Sequence, residues 1–157
     1  MCMHVQVEAH GKRASCTRTV RIALGVSTLV IHMVIHMVIH MAIHMAIQVF
    51  SEGAAALSNL CHGMSPPSLM AKAAAFEAGG VPSIVLGLGA LESEEQAQAY
   101  GFGALANMVR GCSNATEQAL EMKADAIAKA ALGRFGGSSS VQKKAKALIT
   151  NLKVKSK

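Results

Sequence analysis

The sequence predicts an all-α protein built from a stacked helical repeat, and three observations carry that prediction. First, Gln96–Gly111 aligned with Gln48–Gly63, 48 residues earlier, matches at six of sixteen positions: Gln48/Gln96, Gly53/Gly101, Ala56/Ala104, Leu57/Leu105, Asn59/Asn107 and Gly63/Gly111. A weaker echo, Ala147-Leu-Ile-Thr-Asn-Leu152, follows about 44 residues later, and recurrence at this period marks helical arrays. Second, the chain is 52% hydrophobic but only 3% aromatic and has no Trp, so its core must be built from Ala, Leu, Ile, Val and Met. That palette suits closely spaced helices better than sheets, which favour aromatic and β-branched side chains. Third, Gly and Pro punctuate the chain between stretches of helical periodicity.

Taken in order, residues 1–21 are polar and basic, without a period, and are read as a disordered leader. Residues 22–50 carry no formal charge. Within them Ile-His-Met-Val/Ala repeats four times from Ile31 to Ala46, a low-complexity pattern. As a helix, each His advances about 40° around the axis. As a strand, the segment would be far longer than usual. As a membrane span, residues 22–47 exceed the roughly 20 needed, with Arg18 and Arg21 at one end. A buried helix of the repeat stack, a membrane segment and an aggregation-prone expansion all stay open here.

Gln48–His62 is the first signature helix, with Ala54, Leu57 and Cys61 on one face, widened by Ala56 and Leu60. Gly63–Ser68, with Pro66 and Pro67, reads as a stop and loop. A short helix over Leu69–Ala78 ends at Gly79-Gly80, and Pro82 sits in the first turn of the next, whose core face is Ile84, Val85 and Leu88. Ser93-Glu-Glu-Gln96 predicts a capping box opening the signature helix. The pattern then recurs: a turn at Gly111–Asn114, short helices over Ala119–Lys123 and Asp125–Arg134, and a loop at Gly136–Ser140. A second capping box at Ser139–Gln142 leads into a helix with Ala145, Leu148, Ile149 and Leu152 on one face. Residues 154–157 form a basic tail.

Short helix, Gly turn, second helix, then a longer helix ending Ala-Leu-x-Asn-Leu resembles the armadillo repeat. The resemblance rests on Glu77-Ala-Gly-Gly-Val-Pro-Ser-Ile84, Gly103-Ala-Leu-Ala-Asn-Met108 and Ala56-Leu-Ser-Asn-Leu60, and covers residues 48–153. The third repeat departs from it, with Lys123-Ala124 in place of Gly79-Gly80. The resemblance implies a right-handed solenoid of about two and a half repeats whose third helices line a concave face. In that family the Asn of the motif commonly bonds the backbone of an extended peptide. By position this implies Asn59, Asn107 and Asn151 as partner-binding residues, with Arg110 and His62 further along the same helices. An amide can pair a peptide unit without reading its side chain. Importin-alpha-type repeats carry Trp four residues before this Asn; here Ala55, Gly103 and Ala147 stand there, so nuclear-localisation-signal recognition of that kind is not implied.

The net charge of +6 is concentrated at the two ends, while residues 51–134 carry eight acids against five bases. No element interleaves bases with aromatics, so nucleic acid is not an expected partner. Four dispersed Cys, without a C-x-x-C pair, read as reduced thiols and a cytoplasmic protein, with nuclear or membrane-associated placement as alternatives. His32, His36, His40 and His44 at i, i+4 spacing are weak metal candidates, interleaved with Met33, Met37, Met41 and Met45. Gly87-Leu-Gly89 and Gly101-Phe-Gly103 lack the context of a nucleotide loop, and no nucleophile has a base at motif spacing, so neither catalysis nor a cofactor is expected. The expected role is a protein-binding scaffold, with a membrane-anchored adaptor using residues 22–47 as the alternative. Leu148, Ile149 and Leu152 at an uncapped end predict exposed apolar surface, and with it self-association or a fragment of a longer repeat protein.

Overall fold

The computed structural model describes the backbone of residues 5–153 and the side chains of residues 31–153. The side chains of the basic leader and the whole of the 154–157 tail lie outside the described residues. The protein is all-α, with no strand among the described residues: α1 (Val5–Leu60), α2 (Pro66–Glu77), α3 (Gly80–Ala90), α4 (Glu95–Val109), α5 (Ser113–Glu121), α6 (Ala124–Arg134) and α7 (Ser139–Lys153). As described, α1 starts inside the stretch expected to be a disordered leader. The chain divides into two units, Met1–His44 and Met45–Lys157.

In the first unit the His/Met repeat is helical, not extended, and its side chains from Ile31 to His44 are all exposed. Around this helix His takes about a third of the circumference and Ile, Met, Val and Ala the rest.

The second unit is two triplets of short, short and long helices, α2–α3–α4 and α5–α6–α7, preceded by the last turns of α1. Its core is mostly aliphatic, with one fully buried aromatic, Phe102: Val81, Ile84, Val85 and Leu88 of α3; Phe102, Leu105 and Met108 of α4; Ala128 and Ala131 of α6; Val141, Ala145, Leu148 and Leu152 of α7. The longest helices, α4 and α7, make the most extensive contact in the unit. Leu148 and Leu152 are buried and Ile149 half-buried, which corrects the expected apolar surface at the C-terminal end. Ala54 on α1 and Cys61 just after it are buried as expected, but Ala56 and Leu60 face solvent. Phe50 and Ser51 take their place on the packed face, because that face is set by the notch it fills. A Cβ on Gly87 would collide with the Phe50 ring, and one on Gly101 would meet it at 3.3 Å.

Several boundaries differ from expectation for identifiable reasons. Pro66 and Pro67 open α2 instead of forming a loop, since proline's missing N–H costs nothing in a first turn. Helix α5 starts six residues before Ala119, at Ser113, with polar Ser, Asn and Thr in its first turn. The Ser93 capping box does not form: the N-cap is Glu94, without a side-chain cap. At α7 the capping hydroxyl belongs to Ser138, which accepts from the Val141 amide at 3.3 Å, not to Ser139. The glutamine of the second expected box, Gln142, is used elsewhere, and so is Gln98, two residues beyond the first box.

Candidate functional site

Between α4 and α7, polar residues return 44 positions later in an equivalent role. Gln98 is buried, and its Nε2 donates to the carbonyls of Leu88 (2.7 Å) and Leu91 (3.0 Å) at the end of α3. Gln142, 44 residues on, donates likewise to Leu132 (2.7 Å) and Phe135 (3.3 Å) at the end of α6. The orphan carbonyls that every helix end leaves are thus satisfied by the following long helix. Gly63 and Gly111 close α1 and α4 with left-handed φ values of 87° and 81°. Gly79 precedes α3 with φ 76°, and Lys123 holds the same left-handed conformation before α6 at φ 58°. The departure noted in the third repeat is therefore a change of residue without a change of backbone.

Sequence reasoning missed Lys72. This lysine is 2% exposed, and its Nζ donates to the carbonyls of Gly63 (2.7 Å) and Arg110 (2.9 Å), with the Met64 sulfur at 3.6 Å. One ammonium thereby joins the C-terminal ends of α1 and α4, where backbone dipoles concentrate negative charge. Burial lowers the Lys72 pKa, and the neighbouring Cys61 thiol opposes that shift. Burial also pushes the Cys61 thiol up, opposed by the Lys72 ammonium. Thr116, 44 residues after Lys72, closes the end of α4 in the same way, donating to Val109 (3.1 Å) and Cys112 (2.9 Å). The available signal for Lys72 was its isolation: it is the only Lys or Arg between Arg21 and Arg110.

The expected partner-binding residues divide into two groups. Asn107 and Asn151 are half-buried and lie along the long helices. Asn107 Nδ2 donates to the Ser58 carbonyl at 2.8 Å and to its hydroxyl at 3.2 Å, reaching back to α1. Asn151 Nδ2 donates to the Ala106 carbonyl at 2.9 Å, reaching back to α4. Each amide thus ties its helix to the long helix of the preceding repeat, and neither Oδ1 has a protein partner among the described residues. Asn59, His62 and Arg110 are exposed side chains at the ends of α1 and α4. The structure joins Arg110 to Lys72 only through its backbone carbonyl.

Between the N-terminal halves of α4 and α7 lies an open cavity of 430 Å³ lined by Glu95, Gln96, Ala99, Tyr100, Ser140 and Lys144. The stem of Lys144 runs over Gly103, where a Cβ would stand 3.3 Å from its Cδ, and its ammonium sits 4.8 Å from the centre of the Tyr100 ring. Burial lowers the Lys144 pKa. The absence of a side chain at Gly103 lets the lysine lie flat, and the ring face attracts its charge. The cavity therefore presents an aromatic ring, a cation, a carboxylate and an amide side by side.

No family model and no curated protein matches the chain. Among solved structures, a crystallised engineered protein is similar over 66% of this chain, at 22% identity and a TM-score of 0.48. The chain spans 46% of the length of that protein.

Proposed function

We propose that residues 48–153 are an armadillo-like right-handed helical solenoid acting as a non-catalytic scaffold. It binds an extended peptide or partner protein along the face formed by the long helices. The observation that carries this reading is the amide ladder: Asn151 to α4 and Asn107 to α1 set successive long helices side by side. Beside that ladder, the cavity with Tyr100, Lys144, Glu95 and Gln96 offers polar groups that suit an extended chain better than an apolar ligand. Each Asn keeps an oxygen able to accept from a peptide N–H, and Asn59 keeps its whole amide. The scaffold is cytoplasmic in this reading, with protein and not nucleic acid as its partner.

Selection of displayed peptides against the full chain tests the proposal. Selected peptides should lose affinity by about tenfold or more, 1.4 kcal/mol, in Tyr100→Ala, Lys144→Ala and Asn59→Ala. All three positions lie outside the fully buried core, so folding can be verified independently by circular dichroism. Binders indifferent to all three would refute the face.

A second reading, an adaptor anchored by residues 22–47, is favoured by one observation: counted through to Leu60, α1 from Ile31 is long and apolar enough, by length and composition, to cross a membrane. Phe50 and Ser51 pack in the second unit, so the free stretch runs only to about residue 46. From Ile31 that is about 24 Å of helix, short of the roughly 30 Å hydrocarbon core, so a span would also need residues before Ile31. Resistance of the full chain to carbonate extraction from membranes would support an anchor, and release would exclude it.

A further inference from the structure

The His/Met repeat is not used by the scaffold reading, yet it places four ligating side chains on one helical face. Met33, His36, Met37 and His40 occupy positions i, i+3, i+4 and i+7. At about 100° per residue they fall within a sector of about 100°. His36 and Met37 form the middle of this diamond, and Met33 and His40 its ends. Neighbours at three and four residues have Cβ atoms about 5–6 Å apart, within reach of a single ion. These four residues, with Val34, line one open depression of 660 Å³. All four are exposed, Met33 at 66% and Met37 at 60%, so no packing must be broken to bring them onto an ion.

We propose that Met33, His36, Met37 and His40 form a copper(I) site. The chemistry of the donors selects the metal. Thioether sulfur is a soft ligand that favours copper(I), whereas imidazole alone serves zinc, nickel and copper alike. No three His, Cys, Asp or Glu side chains converge among the described residues, so a hard or borderline divalent ion lacks a third ligand here. The thioethers supply that ligand only to a soft ion. Charge points the same way: residues 22–50 contain no carboxylate, and a monovalent ion is less costly than a divalent one to hold beside apolar side chains. The next quartet along, Met37, His40, Met41 and His44, shares two of these ligands. The two registers therefore compete, and the chain takes one ion tightly. Met45 belongs to neither quartet.

The test is anaerobic titration of the full chain with copper(I) against a chromophoric copper(I) chelator, with zinc(II) titrated in parallel. Wild type should bind one copper(I) per chain. Met33→Leu with Met37→Leu keeps side-chain volume, helix propensity and all four histidines, and should weaken copper(I) by about tenfold while changing zinc(II) by less than about twofold. Met41→Leu with Met45→Leu leaves the proposed quartet intact and should change copper(I) by less than about twofold. Copper(I) affinity unaltered by the first pair is imidazole binding, an adventitious ion only, and overturns the site. Equal losses from the two pairs would overturn its placement at Met33–His40.

Discussion

Gly79 and Lys123 hold the same left-handed backbone, and only one of them does so without strain. A side chain in that region costs about 1–2 kcal/mol, against which glycine loses about 0.5–1 kcal/mol of unfolded-state freedom. Lys123→Gly is therefore expected to raise stability by up to about 1 kcal/mol, and Gly79→Ala to lower it by about 1 kcal/mol. Urea midpoints moving in opposite directions at unchanged m would establish both, and a loss for Lys123→Gly would mean that its side chain contributes more than its strain costs. Lys72 poses a different balance. Its burial is unfavourable to the ammonium, as its lowered pKa records, but two carbonyls depend on it. Lys72→Ala removes the donor and leaves a void, and should cost about 3 kcal/mol. Lys72→Met fills the void and should cost about half as much. Were Lys72→Met to stabilise the fold, desolvation would outweigh both hydrogen bonds and the bridge between α1 and α4 would be no bridge energetically.

At the level of elements, each long helix closes the helix before it through one glutamine, and burial decides what each closure contributes. Gln98 is 1% exposed, so Gln98→Ala strips the buried Leu88 carbonyl of its side-chain donor, while the Leu91 carbonyl keeps the Glu94 amide. The expected loss is about 2–3 kcal/mol, against about 1 kcal/mol for Gln142→Ala, where the half-buried site lets water replace the amide. Equal losses in thermal unfolding would show that burial does not set the difference. Phe50 gives a packing counterpart: Gly87→Ala drives a methyl into its ring and should cost about 1–3 kcal/mol, partly recovered when Phe50→Leu is added. The helices themselves were legible in the sequence because Gly63 and Gly111 recur at the same left-handed turns and Asn107 and Asn151 at the same contact with the preceding helix. The buried faces of α3 and α7 were legible too, since Ile84, Leu88, Ala145 and Leu148 follow the helical period. What escaped was whatever depends on a neighbour. Ala56 and Leu60 fit the period of α1 yet face solvent, because the notch at Gly87 and Gly101 receives Phe50 instead. Lys72 was hidden because a charge reads as surface until two carbonyls are seen to converge on it. In the candidate face, Tyr100 and Lys144 escaped for the same reason: they lie on helices 44 residues apart and meet only once α4 and α7 are packed.

At the scale of the whole molecule the two units obey opposite rules. The unit from Met45 onward has a buried apolar core, whereas the stretch from Ile31 to His44 has none and exposes Ile, Met and Val at half or more of their surface. Together these side chains offer on the order of 1,000 Å² of apolar surface, more than soluble monomers usually leave to water. At about 25 cal/mol per Å² this is on the order of 25 kcal/mol of unclaimed hydrophobic driving force, far above the marginal stability of a domain. That surface must therefore dominate the solution behaviour of the full chain while contributing little to the cooperative unfolding of the second unit. A chain comprising Met45–Lys157 is expected to be monomeric by light scattering and to unfold at the same urea midpoint as the full chain in detergent. The full chain without detergent is expected to self-associate or partition into vesicles. Should the shortened chain unfold at a lower midpoint, or stay associated, residues before Met45 would belong to the folded unit after all, and the boundary at His44 would have to move toward the N-terminus.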